Sequence, residues 1–150
     1  MTTTLETVKA CMDTIDKLNE SHGVKVKGTK KYTQVVHRME AFRKHFGFDY
    51  GVSTEIITAD QTRVVMKSSI TDADGRVIGT GYAEEIRNVG PVNKTSAVEN
   101  AETSAIGRCL ASLGFSGGEY ASANEMDAVG RKQDMLNQVK ETDPLKKVGA

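Results

Sequence analysis

The residue pattern predicts an α+β chain, with helices flanking a three-stranded antiparallel sheet. Three observations predict it. Apolar residues recur every three or four positions over residues 4–20 and 32–46, the period drops to two over 52–87, and helical spacing returns over 96–113. A chain of 150 residues is the usual size of one domain. We read 1–141 as that domain and 142–150 as a frayed tail.

The first helix rests on Leu5, Val8, Met12, Ile15 and Leu18. A basic segment, 24–31, leads into the second, in which Tyr32, Val35, Val36, Met39, Phe42 and Phe46 gather on one side and Gly47 stops the helix. Gln34, His37, Arg38, Ala41, Lys44 and His45 take the other side, so this helix is expected to carry a core face and a basic face. Strands follow at 53–58, 63–70 and 76–87. Val64, Met66 and Ile70 face one way and Arg63, Val65 and Lys67 the other. Asp74-Gly75 supplies a tight turn. Gly79, Gly81 and Ala83 make a strand face that another backbone can approach closely. Ser96 and Glu99 match a capping box opening a long helix that ends at Gly114. On that helix Val98, Ala105, Ile106, Cys109, Leu110 and Leu113 form a stripe, and Ala97, Ser104, Gly107 and Ala111 form a small-residue packing face. A last helix is expected over 124–140.

Charge is the first functional clue. Net charge is zero, from 20 basic and 20 acidic residues, yet residues 24–48 hold seven cations against Glu40 alone. A focused basic patch on a neutral chain points to a polyanionic partner. No apolar run approaches the roughly 20 residues of a membrane span, so no membrane partner is expected. Residues 1–20 lack the features of a signal peptide. Cys11 and Cys109 read as small core residues, which points to the cytoplasm.

Catalytic signatures were sought. No glycine is followed by lysine, which excludes a P-loop, and Gly79-Thr80-Gly81 lies inside a strand without the third glycine of a dinucleotide fingerprint. The three histidines lack paired-ligand spacing. Asp72 and Asp74 read as a turn that bonds its own backbone. Glu102 falls in the apolar stripe, where a carboxylate needs an arginine partner. The expectation is a binding protein, not an enzyme, with no cofactor and no metal.

Several local motifs share order and spacing with one family. His37-Arg38 through Phe46-Gly47-Phe48, then Asp74-Gly75 followed by Gly81-Tyr82, then 94–101, then 106–114 together resemble the Rad-fifty-two superfamily of single-strand annealing proteins, over 32–117. The phrasing of 95–115 is similar to bacteriophage members. The resemblance implies a homo-oligomeric ring or filament that binds single-stranded DNA in a basic groove. It would promote ATP-independent annealing in phage recombination and repair, in the cytoplasm of a bacterial host. A phage exonuclease or the host single-strand-binding protein are the implied further partners. By position, Arg38 and Arg108 match DNA-contacting basic residues, Lys94 a lysine of a secondary DNA site, and Phe48 a tyrosine beside the DNA. Gly107 and Ala111 depart from the family by replacing basic residues, for which Lys44 and His45 are candidates to compensate. Lys30 and Lys31 complete the candidate set. Two readings of Arg108 remain open: a DNA contact, or an inter-subunit ion-pair partner of Glu102. A passive strand-coating protein and a metal-dependent nuclease built on Glu99 and Glu102 are the alternatives.

Overall fold

A computed structural model describes residues 4–25, 30–89, 93 and 95–126. Helix α1 (Thr4–His22) is followed by a two-residue antiparallel pair, β1 (Val24–Lys25) with β2 (Lys31–Tyr32). Helix α2 (Val35–Phe46) leads into the meander β3 (Gly51–Ala59), β4 (Arg63–Thr71) and β5 (Val77–Ile86), and α3 (Ala97–Ser112) packs on the sheet. Residues 123–126 add a short C-terminal helical turn. The α+β architecture is the one the periodicity predicts. The expected helix over 124–140 lies, past residue 126, outside the described residues, as does the tail at 142–150.

Alternation sets the sheet. Val64, Met66, Ser68 and Ile70 are buried against α3, while Arg63, Val65, Lys67 and Ser69 point to the opposite face. The glycine face of β5 does what its composition suggests. A Cβ at Gly81 would overlap the backbone of Ala105, Arg108 and Cys109, so the helix rests directly on the strand. Both connecting turns are closed by carboxylates. Asp72 accepts from the N–H groups of Asp74 and Arg76, and Asp60 from those of Thr62 and Arg63. These bonds, chiefly the one from Arg76 for Asp72 and from Arg63 for Asp60, hold both carboxyls below the usual range. Gly75 takes φ 84 in the first of these turns.

Helix α3 is buried on two sides, which explains its alanines and glycine. Ala101 and Ala105 lie over Val64 and Met66 in one core cluster. Cys109 and Leu110 join Cys11, Ile15, Ala41, Phe42, Ile70 and Phe115 in the other. Both thiols are buried and free, and burial pushes Cys11 up to about 11 and raises Cys109, which makes both poor nucleophiles. Gly107 meets α2: a Cβ there would stand 2.7 Å from Val35 Cγ2. Helix α1 runs antiparallel to α2, with Thr14 against His45 and Asn19 against Thr33. Among the described residues no helix is long and apolar enough to cross a membrane.

Four expectations are corrected. The buried face of α1 runs through Cys11 and Ile15, with Leu5 exposed. Tyr32 belongs to β2, and α2 starts three residues later, where Asn124 Oδ1 accepts the Val35 N–H that Gln34 leaves uncapped. Helix α2 is rotated: Val36 is 56% exposed, whereas Arg38 and Ala41 are buried. Ser96 precedes α3 but makes no capping bond. The reciprocal capping box instead forms at Ser122 and Glu125. Glu125 N–H donates to Ser122 Oγ at 3.2 Å, and Ser122 N–H donates to Glu125 Oε2 at 2.9 Å.

The Gly81 contact yields a stability prediction. Gly81→Val should push α3 off the sheet and cost about 3 kcal/mol or more. Gly75→Ala, at an open turn position, should cost about 1 kcal/mol. Urea denaturation of the two variants measures both.

Candidate nucleic-acid interface

The centre of the expected basic face is not at the surface. Arg38 is fully buried, and its guanidinium ties α2 to the end of α3. Nε donates to Phe115 O at 2.7 Å and Nη2 donates to Gly107 O. Nη1 has no hydrogen-bond partner among the described residues. Burial lowers the Arg38 pKa to about 10, opposed by the nearby Glu125 carboxylate, so the group is a cation at neutral pH. The reading of Arg38 as part of an exposed helix face is therefore corrected. The cause is Gly107: without a side chain there, α3 comes close enough to present carbonyls to the guanidinium.

The exposed candidates fall into two groups at opposite ends of α2. At its C-terminal end Lys44 is exposed, and His45 is half-buried with Nε2 2.8 Å from Thr14 Oγ1. Gly47, at φ 62, turns the chain so that Phe48 stands 93% exposed. The Arg43 guanidinium lies 5.7 Å from the Phe48 ring centre, held by bonds to Gly47 O and Tyr50 O. This end therefore presents a cation and a free aromatic face together.

At the N-terminal end, Lys30 pairs with Glu119 at 3.4 Å and Lys31 Nζ donates to Glu20 O at 2.9 Å. Arg108, half-exposed, donates to Glu125 Oε1 at 3.2 Å and lies 4.8 Å from the Tyr120 ring centre. Its partner within the chain is thus Glu125. Glu102 is exposed on the far side of α3, where it accepts from Thr54 Oγ1 at 2.7 Å, so its assignment to the apolar stripe is also corrected. Lys94 lies outside the described residues.

Two functional candidates were missed. Arg43 shows in the sequence as one charge of the basic segment, although its spacing to Phe48 predicts a shared turn. Tyr120 sits in a glycine- and serine-rich run and carries no periodic signal. The S-x-x-E at 122–125 is the sequence signal that this run is ordered against the rest of the chain.

The helix–meander–helix unit is also what comparison isolates. The family model described as the Slr1353 N-terminal dsRNA-binding domain-like family matches residues 39–113, half of the chain. The chain belongs to this family. The match runs from within α2 to the end of α3, so it contains Lys44, His45, Phe48, Lys94 and Arg108 and leaves Lys30, Lys31 and Arg38 just outside. No curated protein and no solved structure gives a match.

The buried guanidinium makes Arg38 a test of architecture. Arg38→Ala should lose about 3 kcal/mol of stability, since it removes two charge-assisted bonds and leaves a cavity. Arg108→Ala should cost less than about 1 kcal/mol. Thermal unfolding monitored by circular dichroism distinguishes the two.

Proposed function

We propose that this chain binds single-stranded DNA as a homo-oligomer and promotes annealing of complementary strands. One observation carries the nucleic-acid reading. At each end of α2 an exposed aromatic ring stands beside a guanidinium, Phe48 with Arg43 and Tyr120 with Arg108. Unpaired bases offer flat faces to such rings, and phosphates offer charge to the adjacent arginine and to Lys44 and Lys30. The family match, described as dsRNA-binding domain-like, supports a nucleic acid as the ligand class.

Annealing rests on the Rad-fifty-two resemblance and on what the reaction needs. Phosphates must be neutralised while base edges stay free, which two rings and several cations satisfy better than deep base pockets. Pairing itself supplies the free energy. The oligomer is supported by the sheet: with β4 central, β3 and β5 each keep one edge unpaired among the described residues. Two unlike edges on one chain suit head-to-tail pairing, which closes into a ring or extends as a filament.

A second reading, binding of duplex RNA, is favoured by the family description itself. Duplex recognition relies on phosphates and 2′-hydroxyls and leaves an exposed ring little to stack on. Phe48 separates the two.

Fluorescence anisotropy with a labelled oligothymidylate should show affinity falling roughly tenfold for roughly a fourfold rise in salt. Phe48→Ala should weaken that binding by about 1–3 kcal/mol. A preference for duplex RNA that is indifferent to Phe48→Ala would favour the second reading. Complementary oligonucleotides should pair faster with the protein than without it. Unchanged pairing alongside tight single-strand binding would leave passive coating.

A further inference from the structure

The run of residues after α3 enters the core at Phe115 and then lies across the basic end of α2. It leaves α3 through Gly114 at φ 88 and turns again at Gly117 and Gly118, at φ 73 and 105, which are positions that favour glycine. Beyond Phe115, Ala123 N–H donates to Thr33 O at 3.2 Å, and Asn124 Oδ1 accepts from Val35 N–H. What distinguishes it is where its charges fall. Glu119 lies 3.4 Å from Lys30, and Glu125 lies 3.2 Å from Arg108.

Beneath it is an unused donor. Arg38 Nη1 is fully buried and has no partner among the described residues, and the position of a Cβ at Gly107 lies 3.5 Å from it and 3.8 Å from Ser122 Cβ. Glu125 is also the carboxylate that acts electrostatically on Arg38. Lys30, Arg108 and Arg38 are thus three cations under one acidic segment.

We infer that residues 116–126 form a strap that imitates a phosphate chain on its own domain. Glu119 and Glu125 hold the cations that a nucleic-acid backbone takes, and the strand binds by displacing them. This rests on the nucleic-acid reading above and adds a regulated step to it. The Lys30–Glu119 pair is partly exposed and the Arg108–Glu125 pair more buried, and a polyanion bringing several phosphates outcompetes two carboxylates. The strap thereby discriminates against isolated anions, which cannot displace both pairs at once. Its capping box at Ser122 keeps the segment ordered until both carboxylates leave.

The experiment uses the full chain carrying Glu119→Gln and Glu125→Gln together. Glutamine preserves the capping bond to Ser122 N–H while removing both charges. Glu99→Gln with Glu102→Gln serves as a comparator, since it removes the same charge from exposed positions on α3. Against a fluorescein-labelled oligothymidylate at low salt, the strap variant should bind about five- to tenfold tighter than the parent, and the comparator less than about twofold tighter. Equal tightening in both variants, or none in the strap variant while the parent binds, overturns the strap and leaves the DNA-binding reading intact. Binding by the strap variant alone supports the strap in its strongest form. If none of the three chains binds, both readings fall. Hydrogen exchange without nucleic acid gives an independent arm: the Ala123 amide should exchange faster in the strap variant, and unchanged exchange counts against the strap on its own.

Discussion

The buried guanidinium of Arg38 is the constraint on which the other features depend. A cation removed from water must find acceptors, and here they are two backbone carbonyls at the end of α3 and just beyond it, Gly107 O and Phe115 O. That requirement fixes the approach of α2 to α3, which only a glycine at position 107 permits. It also fixes where the chain leaves α3. The Phe115 carbonyl is held by Arg38, and the Phe115 ring packs 6.0 Å from Phe42 and 5.7 Å from Phe46. Everything downstream, from Glu119 over Lys30 to Glu125 over Arg108, is positioned by that anchor.

Much of the fold was legible because it depends on local period. Alternation along β4 named its buried residues, the Asp-Gly turn placed the hairpin, and the small residues of β5 marked where another backbone comes close. The rotation of α2 was not legible. A helical wheel sorts residues by hydropathy, and it places an arginine outward unless something supplies buried acceptors. Those acceptors come from residues 69 and 77 positions further along the chain, which no local pattern contains. The capping box failed for a related reason. S-x-x-E occurs at 96–99, 116–119 and 122–125, and the last copy closes both bonds.

The candidate interface was legible as charge but not as geometry. The cluster of cations between residues 24 and 48 marked the right segment, and α2 then divided it into two ends with Arg38 withdrawn between them. Tyr120 and the two strap carboxylates come from outside that segment. Zero net charge gains a physical meaning from this arrangement. Part of the acidic complement lies directly on the basic surface, so the surface is attractive to a polyanion at short range while the whole chain remains neutral.

The central claim is that the two ends of α2 form the contact surface for an unpaired strand. Titration of the isotope-labelled protein with a single-stranded oligonucleotide, followed residue by residue through amide and side-chain resonances, tests it most directly. The account predicts the largest shifts at Lys30, Arg108 and Tyr120 and at Arg43, Lys44 and Phe48, with the open sheet face at Lys67 and Tyr82 unmoved. Shifts confined to that sheet face would contradict it.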